Sequence, residues 1–360
     1  MNILQISSAS SFGGGERYVA DLTNSLIARG HNLYAALRPG SPLIRHLQLP
    51  KERILTLPLR NALDVPSAHE LERFVRRQAI DVVHAHMARD YSLASYAARR
   101  KTKFVATRHV LFQLNRLHRH TLARATRVIA VSSAVAKELQ RVVSEKQIAL
   151  VPNGINVERF ERARAGFDRG QFLRGMGLPE ECLLVGSVGE LRTLKRHDDF
   201  IRAAAQIVSR FPETHFVLAG VDTIGDVRKQ LEKLVTDLRL KECFHFLGWV
   251  DEAEGLLCAM DVFVSASETE SFGLAMAEAM AAGTPVVATR TEGAQEVVED
   301  QRTGLIVPIG DVDRIAEAVV ALLTNAERRR TMGAHAHEAA KTKFSLNRMV
   351  DAIEKIYTTD

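Results

Sequence analysis

Short runs rich in Val, Ile and Ala recur along this chain, each followed by a helical pattern, and that rhythm limits the folds open to it. In the first half the runs are "NILQIS", "LYAAL", "RILTLP", "DVVHAH", "KFVATRH", "RVIAVS" and "IALVPNG". In the second half they are "LLVGSVG", "HFVLAG", "FHFLGWV", "DVFVSAS", "PVVAT" and "GLIVP". Nearly continuous apolar strands alternating with helices predict parallel sheets covered on both faces. At 360 residues the chain is too long for one ordinary core, so the expectation is two Rossmann-like, doubly wound α/β domains. The polar stretch "ERFERARAGFDRGQFLRGMGLPEE" reads as the separator, which sets the domains at 1–165 and 166–345. The last helical pattern, "SLNRMVDAIEKIY" in 346–360, is expected to pack across the junction. Ligands of open α/β sheets sit beyond the carboxyl ends of the strands, so a central cleft between the domains is the expected site.

Composition narrows the class. Hydrophobic residues make up 46% and charged residues 25%, the balance of a soluble globular protein. No apolar run approaches the roughly 18 residues of a membrane span, and Met1 leads straight into a strand without a signal-peptide pattern. Cys182, Cys243 and Cys258 are scattered and lack metal-ligand spacing, which suits a reduced, cytoplasmic setting. Charge is divided unevenly. Residues 1–165 carry 26 Lys+Arg against 12 Asp+Glu, a net of +14; residues 166–360 carry 22 against 31, a net of −9. The basic residues bunch at "ERFVRRQ", "ARRKTK" and "NRLHRHTLARATR". Such a face is either simply solvated or attracts an anionic partner: a membrane surface, a phosphorylated glycolipid or nucleic acid.

Candidate chemistry begins after the first strand, where "SSASSFGGGERYVADLTNSL" is a Gly-rich turn opening a helix. Gly13, Gly14 and Gly15 let backbone approach a ligand, and the helix N-terminus favours a phosphate, although turns of this kind are also ordinary βα loops. It is not the G-x-G-x-x-G dinucleotide fingerprint, and "LYAALRPG" has no acid in the ribose-binding position, which disfavours a nicotinamide dehydrogenase. A second phosphate site is expected at the helix after Phe272-Gly273. Lys195, with Arg192 and Arg196 nearby in "GELRTLKRHDDF", supplies positive charge.

The stretch "SETESFGLAMAEAMAAGTPVVAT" is the most specific. Its helix, roughly Ser271 to Ala282, is apolar on nearly every face and is expected to be buried, ending at Gly283 and Pro285. A carboxylate there, Glu278, needs a polar partner: an Arg, the helix dipole, or a pair of sugar hydroxyls. Glu270 lies just before the helix, where unpaired N–H groups favour an anion.

Glu270 and Glu278, within "ETESFGLAMAEAMAAGTPVVAT", resemble the E-x7-E signature of retaining glycosyltransferases of family 4, which have the GT-B fold. Further matches run in order along nearly the whole chain: "GGGERYVADL", "DVVHAH", "TRH", "VPNGIN", "GELRTLK", "FLGWV" and "EGAQEVVEDQRTGLIVPIGD". The resemblance implies roles. Gly13 and Gly14 approach the donor diphosphate and the reacting centre, His109 contacts the donor sugar, and Lys195 neutralises the diphosphate. Glu270 holds sugar hydroxyls while backbone N–H groups of Phe272, Gly273 and Leu274 meet sugar and phosphate. Glu278 binds the nucleotide ribose, and backbone near Val250 the base. His84 and His86 match a family pattern too, but read as structural at a buried strand end.

Three positions depart from the family. Glu190 stands where an Arg is usual, so Arg192 or Arg196 is the candidate replacement; Arg196 and Glu292 themselves occupy usual glycine positions.

The activity implied is transfer of a sugar from a nucleotide diphosphate sugar, such as a UDP- or GDP-sugar, to an acceptor hydroxyl of a glycan or glycolipid, with retained configuration. The implied setting is glycolipid, lipopolysaccharide or other surface polysaccharide synthesis. No metal cluster stands out, so no metal or cofactor is expected. A nucleotide-sugar epimerase or phosphorylase on the same plan is the alternative. A nucleic-acid binder is disfavoured because aromatic residues do not interleave the Arg clusters. The segment "VLFQLNRLHRHTLARATR", with Leu111, Phe112, Leu114, Leu117 and Leu122 among Arg116, Arg119, Arg124 and Arg127, reads either as a peripheral attachment to the inner face of an anionic membrane or as a half-buried helix with a basic face.

Overall fold

The computed structural model describes residues 1–98, 101–223 and 225–359, with the backbone alone for Arg116 and Leu117. Arg99 and Arg100 of the "ARRKTK" cluster lie outside the described residues. All thirteen runs singled out above are strands. The first unit holds β1 (Asn2–Ser7), β2 (Asn32–Leu37), β3 (Ile54–Thr56), β4 (Val82–Ala85), β5 (Lys103–Arg108), β6 (Arg127–Ala130) and β7 (Ile148–Leu150). They form one parallel seven-stranded sheet in the order β3-β2-β1-β4-β5-β6-β7. The second holds β8 (Leu183–Val188), β9 (Thr214–Ala219), β10 (Phe244–Gly248), β11 (Val262–Ser265), β12 (Val286–Thr289) and β13 (Gly304–Val307). These form a parallel six-stranded sheet in the order β10-β9-β8-β11-β12-β13.

Each sheet therefore winds outward in both directions from its first strand. The order reverses between β1 and β4 in one unit and between β8 and β11 in the other. At such a switch point the loops leave in opposite directions and open a crevice at the strand carboxyl ends. Helices on both faces explain the burial: Ile3, Leu4 and Ile6 on β1, and Leu184 and Val185 on β8, have no solvent exposure. In the second unit Phe200, Phe216 and Phe244 form an aromatic cluster with ring centroids 5.5–6.2 Å apart.

The division of the chain differs from the expectation in two respects. The first compact unit runs Met1–Gly154 and takes back the segment from Leu346; the second is Ile155–Ser345. The polar stretch after Asn156 is not a separator. It forms helices Val157–Arg164 and Arg169–Gly175, which start on Asn156 and Asp168 side-chain caps. Arg169 fastens the second of these into its unit by donating to Asp261 (2.7 Å) and to the carbonyls of Ala259 and Cys182 (each 2.9 Å). The polarity that suggested a linker is the polarity of capped surface helices. The final helix, Leu346–Thr358, belongs to the first unit: Leu346, Met349, Val350, Ile353 and Tyr357 pack into the core built by β1, β2 and helix Gly14–Ala28.

Candidate functional site

Two groups of the residues singled out by sequence lie at the switch points, one in each unit. In the first, the glycine turn follows β1 and opens helix Gly14–Ala28. The Gly13 N–H donates to Glu16 (2.9 Å), closing the turn. His109, just beyond β5, packs its ring 4.0 Å from the position a side chain on Gly15 would take, and edge-on to Tyr18 (4.7 Å between centroids). His109 is thus brought against Gly15, the residue following Gly13 and Gly14 in the turn. His109 is half-buried, and its Nε2 is covered and finds no partner among the described residues. Burial, and then the neighbouring Arg108 guanidinium, push its pKa down to about 3, so the imidazole is neutral near pH 7.

His84 and His86 lie deeper. His84 meets the Tyr357 hydroxyl at 2.5 Å and the Thr107 hydroxyl at 2.7 Å; His86 meets the Gln5 side-chain oxygen at 2.7 Å. Burial lowers the His84 pKa to about 3 and holds His86 well below the usual imidazole range. Asp90, nearby at the end of β4, is fully buried, accepts from the Ser8 N–H (2.8 Å), and is pushed up to about 6 by burial.

In the second unit the loops after β8, β9, β10 and β11 gather at the same sheet edge. Backbone pairing continues past the strands: Gly189 donates to Ala219, Leu191 to Val221, and Gly220 to Gly248. Gly220 must be glycine, because a side chain there would lie 1.8 Å from the Gly189 carbonyl oxygen. The turn Thr193–Lys195 is fastened to the β11 loop by the Glu268 N–H donating to Leu194 (2.9 Å). That bond places Lys195 against Glu270 at 2.5 Å, and Ser267 donates to the same carboxylate oxygen at 2.8 Å. Ser267 is in turn held by Thr289, which donates to its carbonyl (2.6 Å). Neither Ser267 nor Thr289 stands out in the sequence, since a Ser or Thr at a strand end reads as any loop residue.

Helix Leu274–Ala281 starts at Gly273, whose φ of +92° is the left-handed conformation that favours glycine. Its first N–H groups have no partner inside the helix and face the rim. The helix is not buried all round. Met276, Ala277, Ala279, Met280 and Ala281 are buried, whereas Leu274, Ala275 and Glu278 form a half-exposed strip. The sequence hid this because the open strip is itself made of small apolar residues. Glu278 therefore sits on an accessible face, one turn beyond Leu274. Its position answers why an acid occurs in this run. Gly293 braces the loop from behind: its N–H donates to the Glu270 carbonyl at 3.0 Å, and a side chain there would lie 2.8 Å from the Glu270 oxygen and the Phe272 backbone. Glu292 next to it is exposed.

The residues at 190, 192 and 196 have distinct fates. Arg196 adopts a left-handed conformation (φ 47°, ψ 44°), which accounts for the glycine usual at that position. It is committed to Asp199 through two bonds, at 2.6 and 3.2 Å. Arg192 is half-exposed and touches Glu190 at 3.5 Å, while Thr223 also donates to Glu190. Arg192 is the cation less tied to the fold. Val250 lies half-buried after β10, beside Trp249, whose indole N–H donates to Asp251 at 2.6 Å.

Two doubly wound parallel sheets, each with its polar residues at the switch point, define the GT-B class of glycosyltransferase architecture. An Anabaena HepE protein solved in complex with UDP-glucose superimposes with a TM-score of 0.88 at 20% identity, over 100% of both chains. The family described as Glycosyltransferase Family 4 matches residues 12–159, and Glycosyl transferases group 1 matches residues 168–339. A phosphatidyl-myo-inositol mannosyltransferase of Mycobacterium leprae is 30% identical over 375 residues, covering 96% of this chain and 93% of the relative. An N-acetyl-alpha-D-glucosaminyl L-malate synthase of Bacillus anthracis is 28% identical over 369 residues, covering 96% and 94%. The chain belongs to glycosyltransferase family 4 and is a transferase.

Proposed function

We propose that this chain is a retaining hexosyl-type transferase that takes its sugar from a nucleotide diphosphate sugar and delivers it to an acceptor hydroxyl. The observation that carries the reading is the Lys195–Glu270 pair at 2.5 Å, set just before the glycine-started helix that carries the accessible Glu278. A diphosphate entering beside Lys195 gains a cation, a neighbouring Arg192 and the N–H groups of Phe272, Gly273 and Leu274. Glu270, released toward the sugar, accepts from its hydroxyls, and Glu278 accepts from the ribose diol. Backbone near Val250 meets the base. Gly13 and Gly14 allow close approach to the reacting centre.

The reaction proceeds on one face of the sugar. The bond from the anomeric carbon to the leaving phosphate oxygen breaks, the acceptor oxygen bonds to the same face, and its proton passes to that phosphate oxygen. Lys195 and Arg192 stabilise the charge that develops on the leaving group, which is why we assign the chain no metal or other cofactor. His109, neutral at working pH, contacts the sugar by hydrogen bonding and does not act as an acid. A glycan or glycolipid acceptor is favoured by the phosphatidyl-inositol relative named above and by the +14 charge of residues 1–165. The setting we infer is glycolipid, lipopolysaccharide or surface polysaccharide synthesis, in the cytoplasm at the inner face of the membrane. No described helix is long and apolar enough to cross a membrane. Attachment would be peripheral, through exposed Phe112 and Val110 beside exposed Arg119 and Arg124, because Leu122 is spent on the unit's own core.

A thermal-shift screen of UDP-, GDP-, ADP- and TDP-sugars tests the donor. One base should raise the melting temperature selectively through mass action. Equal, negligible shifts for all of them at millimolar concentration would refute a nucleotide-sugar donor.

A further inference from the structure

We propose that Tyr357, on the C-terminal helix, is a positioning residue for His109; the proposal rests on the reading of His109 as a sugar contact. His109 has no hydrogen bond at its buried Nε2 among the described residues, so the orientation of its ring depends on what packs against it. Two routes lead from Tyr357 to that ring. The first is hydrogen-bonded. The Tyr357 hydroxyl meets His84 Nδ1 at 2.5 Å, His84 Nε2 meets the Thr107 hydroxyl at 2.7 Å, and Thr107 lies 3.5 Å from the Tyr18 hydroxyl. Tyr18 stands edge-on to His109 at 4.7 Å. The second runs through ring contacts: His84 tilted against His86 at 4.2 Å, and His86 stacked on His109 at 5.8 Å between centroids.

The chemistry of a neutral imidazole makes the first route directional. His84 carries one N–H, so one of its two hydroxyl partners must donate and the other accept. The tautomer chosen at Tyr357 therefore sets which way the Thr107 hydroxyl points, and with it the bond offered to Tyr18. Thr107 is itself held through its carbonyl, which accepts from Tyr91 at 2.8 Å. Without the Tyr357 hydroxyl, one His84 nitrogen is left buried and unpaired, and its ring is free to exchange tautomer or tilt. Both routes carry that change to His109.

The decisive experiment is Tyr357→Phe, read first by nitrogen NMR of protein labelled in its histidines, without any ligand. Signals of His84 and His109 are assigned with His84→Gln and His109→Gln. We expect both to shift in Tyr357→Phe, and turnover with the sugar nucleotide of largest thermal shift to fall about tenfold at unchanged donor KM. Glu354→Gln is the control for helix docking: it removes the carboxylate that pairs with Arg29 and His31 (2.6 Å) and leaves the tyrosine in place. It should leave the His109 signals unmoved. An unmoved His109 in Tyr357→Phe, or an equal movement in Glu354→Gln, overturns the proposal. Wild-type turnover in His109→Ala is a separate failure: it removes His109 from the reaction whatever the spectra show.

Discussion

Lowering the pH from about 7.5 to about 5 should destabilise the first unit more than the second. His84, His86 and His109 are buried and neutral, with folded pKa values of about 3 for the first and last and well below normal for His86. Their unfolded value is about 6.5. The unfolded chain therefore binds the protons, and stability present above about pH 6.5 is lost as pH falls toward the folded values. At about pH 5 His84 and His109 have each cost roughly 2 kcal/mol, about 4 kcal/mol together, and His86 acts in the same direction. Asp90 works in the opposite direction. Its folded pKa of about 6 lies above its unfolded value, so the native state takes up a proton first and about 1 kcal/mol returns. The net loss is about 3 kcal/mol before His86 adds to it, a large share of an ordinary domain's stability. In the second unit His197, lowered to about 4 by burial, contributes roughly 2 kcal/mol by the same route. The probes separate the units without labelling. Tyr18, Tyr34, Tyr91, Tyr96 and Tyr357 all lie in the first unit, and Trp249, the single Trp, lies in the second. Urea titrations at the two pH values, followed by tyrosine circular dichroism and by tryptophan fluorescence, read each unit. With a slope of about 2 kcal/mol per molar, the tyrosine midpoint should fall by at least roughly 1.5 M and the tryptophan midpoint by about 1 M. A tyrosine midpoint that moves no further than the tryptophan one would show that the histidine cluster is protonated or hydrated in the native state.

Glu278→Gln should weaken donor binding on the order of tenfold at an unchanged melting temperature, since shape remains and only charge-assisted bonds are lost; isothermal calorimetry giving wild-type affinity refutes the ribose assignment. Gly293→Ala should lower the melting temperature by about 3 to 10 °C and weaken donor binding, because its methyl group meets backbone that cannot yield; calorimetric scanning checks this, and a wild-type profile would show that the loop at Glu270 is free to move. The first unit should co-sediment with anionic vesicles at low salt and be released as salt rises; equal binding to neutral vesicles, or none, leaves a non-membrane acceptor.

The strands were legible because buried parallel strands leave continuous Val, Ile and Ala runs, and "DVFVSAS" or "PVVAT" has no competing helical period. The division of the chain was not, because Arg159, Arg162 and Arg174 look the same on a capped surface helix as in a linker. The return of the last helix to the first unit was also hidden: an amphipathic pattern such as "SLNRMVDAIEKIY" states that a face is buried, not against which sheet. At the site, Lys195 and Glu270 could be named singly, but their contact depends on the backbone bond from Glu268 to Leu194, which no residue type announces. Arg196 and Glu190 show how departures become interpretable only with dihedral angles and partners in hand. The accessible face of Glu278 was obscured because Ala275 and Leu274 read as core.

The return of the C-terminal helix has a consequence for how the protein is made. The strands of the first unit have all been synthesised by Leu150, but Val350, Ile353 and Tyr357, which close its core, follow roughly 200 residues later. At elongation rates of about 5 to 20 residues per second that gap lasts roughly ten to forty seconds. The second unit is continuous from Ile155 to Ser345, so every residue of its core is synthesised before the helix that closes the first. Throughout that interval the helix-binding face around Ile3, Val82 and Val105 lacks its cover, and it is the surface on which chaperones, or aggregation, would act. The order of completion is thus the reverse of the order of synthesis, and a nascent chain released before Leu346 would carry a finished second unit and an unfinished first.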